Sequence, residues 1–105
     1  MRVERVLLQM LLDDPETGVG QAAVTLGITV RTLHNYCQQQ LGMSPGRYIK
    51  LVRLLRARIA LKHADPACSS VTEIAMACGF TQLGRFSVAY RQAFGETPRQ
   101  TLRLT

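Results

Sequence analysis

Apolar residues recur every three or four positions along most of the chain, the spacing that gives an α-helix one buried face. No segment has the pattern expected of a β-strand, so the sequence predicts an all-α fold. The predicted helices are Val3–Leu12, Val19–Leu26, Val30–Gln40, Pro45 to about Ala64, Val71–Cys78, about Gln82–Phe94, and Pro98–Leu104.

The apolar stripes of these helices predict which residues form the core. In the long fourth helix the stripe consists of Tyr48, Ile49, Val52, Leu55 and Ile59. In the sixth helix it consists of Phe86, Ala89, Tyr90, Ala93 and Phe94. Because aromatic side chains bury a large apolar area, we expect Phe80, Phe86, Tyr90 and Phe94 to pack inside and position the helix.

A short pattern occurs twice in the chain. The first copy is Ala23-x-x-x-Gly27-Ile28-Thr29, followed after a helical stretch by Leu41-Gly42-x-Ser44-Pro45. The second copy is Ala75-x-x-x-Gly79-Phe80-Thr81, followed after a helical stretch by Phe94-Gly95-x-Thr97-Pro98. Each copy predicts a helix, a tight glycine turn, a second helix and a glycine stop, which together form a helix-turn-helix.

Several residues indicate where the helices begin. Thr29 is predicted to be the N-cap of the third helix, and Thr81 that of the sixth. Ser70 and Glu73 have the spacing of a capping box in front of the fifth helix. The fourth predicted helix joins the two copies of the pattern, so it would serve as a linker helix. With about 20 residues it would be ~30 Å long, close to the ~34 Å that separates successive major-groove faces of B-DNA.

The charge of the chain adds to this picture. The formal net charge is +6 and the isoelectric point is about 9.9. Residues 17–64 contain no acidic residue, whereas their basic residues are Arg31, Arg47, Lys50, Arg53, Arg56, Arg58 and Lys62. Neutralising phosphates releases counterions from DNA, so a one-sided basic surface favours binding to nucleic acid. The alternative is a solvated helix face, which usually mixes both signs.

Other classes of protein are not favoured by the sequence. No apolar run approaches the ~18 residues of a transmembrane helix, and charged residues interrupt the N-terminal apolar stretch, so no signal peptide is expected. Cys37, Cys68 and Cys78 fit no metal or redox motif, and we expect them to be reduced and mostly buried. The sequence therefore predicts neither a metal site nor a cofactor.

At this point the residues resemble the AraC/XylS family of bacterial transcription regulators. The resemblance covers about residues 3–104 and is strongest in two segments. One comprises Glu73-Ile74-Ala75-x-x-x-Gly79-Phe80, Phe86, Tyr90-Arg91, Phe94-Gly95-x-Thr97-Pro98 and Arg103. The other comprises Gly42-x-Ser44-Pro45-x-x-Tyr48-Ile49 and Arg53-Leu54-x-x-Ala57-Arg58-x-x-Leu61, which is similar to the family's linker helix.

The resemblance implies an all-α DNA-binding domain of seven helices over residues 1–105. Two helix-turn-helix subdomains, a homeodomain-like pair at about 3–44 and 70–104, would be joined by a long linker helix at about 45–64. Both recognition helices would enter adjacent major-groove segments. The base-reading positions would carry over to Arg31, His34, Asn35, Gln82, Leu83, Gly84, Arg85 and Val88.

The second recognition helix departs from the family at two of these positions. Gly84 and Val88 stand where many relatives have polar or basic residues. The second unit would then read its groove by shape, by methyl contacts, or mainly through Arg85 and phosphates. Candidates for phosphate contacts are the polar and basic residues around both reading faces, namely Thr29, Thr32, Gln38, Arg47, Lys50, Thr81, Ser87 and Arg91.

Two other functions stay open at this point. The same module occurs fused to a DNA-alkylation-repair protein whose cysteine accepts methyl groups, and a helical protein-interaction module without DNA binding is the other alternative. An enzyme is not expected, since no Ser/His/Asp or Cys/His arrangement and no phosphate-binding loop is present. The acid-free basic stretch argues against the interaction module.

The resemblance also implies partners and location. We expect double-stranded promoter or operator DNA as the main partner, RNA polymerase as a second one, and a cytoplasmic, nucleoid-associated protein. We expect an activator only because regulators of this family are usually activators. The chain is also expected to be a C-terminal fragment, with effector binding and dimerisation in a missing N-terminal domain.

Overall fold

The computed structural model describes residues 3–103, and within that range every regular element is an α-helix. The elements are α1 (Val3–Asp13), α2 (Val19–Leu26), α3 (Val30–Leu41), α4 (Pro45–His63), α5 (Val71–Ala77), α6 (Leu83–Phe94) and α7 (Pro98–Arg103). The predicted all-α fold and each of its helices are confirmed, with ends that shift by at most one residue. The predicted end of the last helix, Leu104, lies outside the described residues.

The chain divides into two compact units, Met1–Val52 and Arg53–Thr105. Helix α4 contributes its first part to unit 1 and the remainder to unit 2. Each unit has a core of its own, and the two cores differ in chemistry.

The core of unit 1 is built from aliphatic side chains and small residues. Leu7, Leu33 and Cys37 are fully buried where α1 packs against α3. Ala22 and Ala23 are buried on α2, and their small side chains let that helix approach the others closely. A second buried group completes the unit and consists of Leu11, Ile49 and Val52.

The core of unit 2 contains a row of aromatic rings. Phe80, Phe86, Tyr90 and Phe94 follow one another with ring centroids 4.6, 5.6 and 4.7 Å apart. These tilted arrangements bring ring edges towards ring faces, the geometry that aromatic pairs prefer. At the end of the row the guanidinium of Arg58 lies 4.6 Å from the centre of the Phe94 ring. The expected packing role of the aromatic residues is thus confirmed.

Parts of the predicted apolar stripes are wrong. On α4 the side chains of Leu55 and Ile59 are 44% and 59% exposed, whereas Leu54, Ala57 and Leu61 are buried. The reason is that α4 has apolar residues on more than one face, and tertiary packing decides which face is covered. On α6 Ala93 is exposed as well.

A short polar chain joins α6 to α7 inside unit 2. The Tyr90 hydroxyl donates to Thr101 Oγ1 over 2.7 Å, and the Thr101 hydroxyl donates to a carboxylate oxygen of Glu96. Tyr90 and Thr101 are both buried, and burial raises the pKa of the Tyr90 phenol, against the opposing hydrogen bond to Thr101. Because buried polar groups need partners, this series of hydrogen bonds fixes α7 against α6.

The three cysteines have different surroundings. Cys37 and Cys78 are buried in the cores of units 1 and 2, while Cys68 is exposed between α4 and α5. Burial raises the pKa of the Cys37 thiol, and it raises that of Cys78 against the opposing charge of Arg56. The thiolate is the reactive form of cysteine. Both buried thiols should therefore react slowly, because reagents cannot reach them and because a raised pKa leaves little thiolate.

The Tyr90–Thr101 hydrogen bond gives a prediction on stability. Thr101→Val leaves the Tyr90 hydroxyl buried without its acceptor and should lower the free energy of unfolding by about 1–3 kcal/mol. Tyr90→Phe removes the donor but leaves Thr101 its carboxylate partner, so the expected loss is smaller, about 0.5–1.5 kcal/mol. Urea denaturation measures both, and a larger loss for Tyr90→Phe would contradict this assignment.

The cysteines give a second prediction. In the folded protein one thiol, that of Cys68, should react quickly with a coloured disulfide reagent, and the other two should react only in urea. Cys68→Ser should abolish the fast phase and leave the total released by urea at two thiols. A fast phase that survives Cys68→Ser would mean that one of the cores opens readily.

Candidate nucleic-acid interface

The turn between α2 and α3 is formed by a left-handed glycine. Gly27 has φ 70° and ψ 29°, a conformation that side chains disfavour. Its N–H donates to the carbonyl of Val24 over 3.1 Å, and the N–H of Ile28 donates to that of Ala23 over 3.0 Å. This pair of bonds is the Schellman motif, which satisfies the last carbonyls of α2 and turns the chain towards α3.

The turn between α5 and α6 repeats this geometry bond for bond. Gly79 has φ 96°, its N–H donates to the carbonyl of Met76 over 3.0 Å, and the N–H of Phe80 donates to that of Ala75 over 3.0 Å. Ala75 is fully buried, as its counterpart Ala23 is almost fully buried. The repeated sequence pattern thus corresponds to two copies of one helix-turn-helix.

The helices that follow the two turns begin differently. Thr29 caps α3, because its hydroxyl oxygen accepts from the N–H of Thr32 over 3.1 Å. The predicted cap at Thr81 is wrong, since Gln82 occupies the N-cap position of α6 and makes no side-chain cap hydrogen bond. In contrast, the Ser70 cap of α5 is confirmed, with its oxygen 3.1 Å from the N–H of Glu73.

A difference of one residue explains the later start of α6. From Gly27 to the left-handed glycine Gly42 the count is 15 residues (42 − 27), whereas from Gly79 to Gly95 it is 16 (95 − 79). Both helices have 12 residues and end with the same bond from the glycine N–H to the carbonyl four residues earlier. The extra residue therefore lies before α6, because the burial of Phe86, Ala89 and Tyr90 sets the position of the helix.

Alignment on the terminal glycines shows which residues of α3 and α6 occupy equivalent positions. The outward face of α3 comprises Arg31, His34, Asn35 and Gln38, all of them exposed. The equivalent residues of α6 are Gly84, Ser87, Val88 and Arg91, and they are exposed too. The first face is rich in long hydrogen-bonding side chains, whereas the second offers a glycine, the short hydroxyl of Ser87 and the apolar Val88 before Arg91.

The remaining candidates for base reading lie at the edges of these faces. Gln82 and Arg85 are exposed, and Arg85 is equivalent to the half-buried Thr32 and not to Arg31. Leu83 is half-buried and packs against the core of unit 2, so its side chain is committed to the fold.

The candidates for phosphate contact differ in their freedom to bind. Ser87, Gln38, Thr81 and Arg91 are exposed, as are Arg47 and Lys50 in the first two turns of α4. The hydroxyl of Thr29 already donates to Thr32 Oγ1 over 2.9 Å and serves as the cap of α3. A phosphate contact by Thr29 would compete with that cap, whereas the Thr32 hydroxyl keeps its own proton to donate.

The basic stretch of the sequence is not one uniform surface. Arg53, Arg56 and Arg58 are half-buried, and Arg58 is occupied with the Phe94 ring. An exposed cation that the sequence reasoning missed is Arg99, next to Pro98 at the start of α7. The repeat carried no signal for it, since the equivalent residue in unit 1, after Pro45, is Gly46.

Two other kinds of functional feature are absent from residues 3–103. That range contains no group of three or more His, Cys, Asp or Glu side chains placed to hold a metal ion. It also contains no helix that is both long and apolar enough to cross a membrane.

Comparison with known proteins identifies the pattern. A family model described as a helix-turn-helix domain matches residues 22–104. The probable thc operon regulatory protein of Rhodococcus erythropolis is 45% identical over 85 residues, which are 81% of this chain and 26% of that protein. The transcriptional activator RhaS of Klebsiella pneumoniae (strain 342) is 42% identical over 79 residues, 75% of this chain and 27% of that protein. The chain thus spans about a quarter of the length of these curated relatives.

Solved structures agree with the family model. A probable AraC family transcriptional regulator from Rhodopseudomonas palustris CGA009 has a TM-score of 0.81 and 31% identity, covering 99% of this chain and 97% of that one. A regulator with an AraC-type DNA-binding domain from Chromobacterium violaceum has a TM-score of 0.83 and 29% identity, covering 96% and 89%. The all-helical fold expected from the resemblance is confirmed.

The two N-caps give a test of the register of α6. Thr29→Ala removes a cap that is in use and should lower the free energy of unfolding by about 0.5–2 kcal/mol. Thr81→Ala should change it by less than about 0.5 kcal/mol, because Thr81 is exposed and caps nothing. Because both variants carry the same threonine-to-alanine change, Thr81→Ala is the control for Thr29→Ala in urea denaturation. Equal losses would show that α6 begins at the residue after Thr81.

Proposed function

Because the chain belongs to the AraC/XylS family of bacterial transcription regulators, we propose that it binds DNA in a sequence-specific manner through α3 and α6. Each of these recognition helices would enter a major-groove segment of its own. The proposal divides the chain into a first helix-turn-helix subdomain at about 3–44, a linker helix at about 45–64 and a second subdomain at about 70–104. The main support for sequence-specific binding is the outward face of α3.

That face offers the groups that read base edges in the major groove. Arg31 has the planar fork that pairs with guanine O6 and N7, and Asn35 can pair in the same bidentate manner with adenine. His34 and Gln38 add shorter and longer donors beside them. All four are exposed, and the buried Leu33 and Cys37 hold the opposite side of the helix in the core.

Phosphate contacts would hold the recognition helices in register. The exposed side chains of Arg47 and Lys50 are suited to this on unit 1, and those of Ser87 and Arg91 on unit 2. Such contacts position a protein on the duplex without reading its sequence. Arg53, Arg56 and Arg58 contribute to the positive potential but are half-buried, so we do not count them among the direct contacts.

The wider role of the protein is part of the same proposal. The names of the curated relatives denote an operon regulator and transcriptional activators, so we propose activation, with RNA polymerase as a partner at the promoter. Because the matched segment spans only about a quarter of the length of those relatives, we assign effector binding and dimerisation to residues outside these 105. The chain would act by binding and not by catalysis, on the bacterial nucleoid in the cytoplasm. Neither a methyl-accepting repair protein nor an interaction module without DNA binding is favoured by these relatives.

Selection from random duplexes of about 30 base pairs tests the proposal directly. Sequencing of the bound pool should show two short enriched boxes, one for each recognition helix, and their spacing gives the operator. Enrichment of a single box would mean that one helix reads bases while the other contacts only the DNA phosphate backbone. A folded protein that enriches nothing would refute sequence-specific binding.

Two variants that each remove one positive charge separate base reading from phosphate contact. Arg31→Ala should weaken binding to the selected operator by about 1–3 kcal/mol and relax the preference at one base position. Lys50→Ala should weaken binding to all sequences alike and lower the slope of log K against log salt by about 0.9. Titrations at several salt concentrations, on the operator and on an unrelated duplex, measure both. A uniform loss for Arg31→Ala, with folding intact, would contradict its assigned role.

A further inference from the structure

The two recognition helices present different chemistry at equivalent positions. Arg31 and Asn35 of α3 correspond to Gly84 and Val88 of α6, one turn apart in each helix. The first pair offers donors and acceptors to base edges. The second pair offers a bare backbone and a branched apolar side chain, and both residues are exposed. At these two positions the two units therefore offer DNA different kinds of contact.

Gly84 is not required by the fold of this chain. It lies in the first turn of α6, and it is absent from the glycines with positive φ, which are Gly27, Gly42, Gly79 and Gly95. A Cβ atom added at Gly84 would meet no other atom within 4 Å. Glycine nevertheless weakens a helix relative to alanine. A bound molecule that approaches the helix backbone closely would account for a glycine at this position.

Val88 is the apolar residue on this face. Its side chain is 59% exposed, so its methyl groups are available for contact. It lies one turn beyond Gly84, so a ligand surface that comes close to the helix at Gly84 also meets the Val88 methyl groups. In the major groove, the one apolar group that distinguishes a base pair is the 5-methyl group of thymine.

We propose that α6 reads its box by an apolar contact between Val88 and the 5-methyl group of a pyrimidine, made possible by close approach of the helix at Gly84. This inference rests on the proposed function and specifies the chemistry of its second box. Arg91, a turn further along the same face, supplies the positive charge that holds the helix on the backbone. The second box would thus contain a thymine that is recognised by its methyl group and not by its hydrogen-bonding edge.

Removal of one methyl group from the DNA tests the proposal. In the selected operator, each thymine of the second box is replaced singly by deoxyuridine, which keeps the pairing edge and loses the methyl group. At one position the wild-type protein should bind about fourfold more weakly, the value of one buried methyl group. Val88→Ala should bind the original operator more weakly and respond less than twofold to that replacement.

A second DNA series separates the methyl group from the thymine edge. At the sensitive position, 5-methylcytosine opposite guanine should bind more tightly than cytosine opposite guanine in the wild-type protein. Val88→Ala should not distinguish the two. Wild-type protein that ignores every replacement, or a Val88→Ala protein with the same response as wild type, would overturn the methyl contact.

Gly84→Ala tests the close approach, with Gly20→Ala as its matched control. Both glycines are the second residue of their helix, both are exposed, and a Cβ atom meets nothing within 4 Å at either one. Both variants should melt at a higher temperature. Only Gly84→Ala should also weaken operator binding, by several-fold, and equal binding of the two variants would overturn the role of Gly84.

The failure of this inference differs from failure of the proposed function. If the selection enriches two boxes but the second is insensitive to methyl groups, DNA reading stands and the methyl contact falls. If only the box of α3 is enriched, α6 does not read bases and the inference falls as well. If a folded protein enriches no sequence at all, both are refuted.

Discussion

The rotational setting of the two recognition helices is the constraint on which the rest of the molecule depends. A helix can present a chosen set of side chains outward only if its opposite face is held in a core. Leu33 and Cys37 hold α3 in this way, and Phe86, Ala89 and Tyr90 hold α6. The left-handed glycines Gly27 and Gly79 bring each helix to its core at a sharp angle, and two backbone hydrogen bonds fix each turn.

The two units meet this constraint with different materials. Unit 1 relies on aliphatic side chains, on the small Ala22 and Ala23, and on a threonine cap at the start of its recognition helix. Unit 2 lacks such a cap on α6 and instead holds that helix with a row of aromatic rings and the hydrogen bonds of Tyr90. A cap fixes the beginning of a helix, whereas the aromatic row fixes it along its length. Both recognition helices are thus held by tertiary packing, and in unit 1 a local cap adds to it.

Most of the fold was predictable from the sequence because its signals are local. Periodic apolar residues, glycines after helices and Ser or Thr before them gave seven helices close to their observed bounds. The errors arose where tertiary packing decides between local alternatives. Thr81 is as good a cap by composition as Thr29, but the buried Phe86 places the start of α6 one residue later. Of the site, the exposed face of α3 was foreseen, whereas the packing of Leu83 and the stacking of Arg58 on Phe94 depend on neighbours distant in sequence.

The extra residue before α6 has a consequence for how such a protein can change. A residue inserted within a helix rotates everything beyond it by about 100°, since a helix has 3.6 residues per turn. In this chain the additional residue lies between Gly79 and the first turn of α6, and the loop takes it up without turning the helix. The junction between turn and helix is therefore a place where length can vary while the outward face keeps its direction. The two halves of such a repeat can therefore differ in chain length there and still present equivalent outward faces.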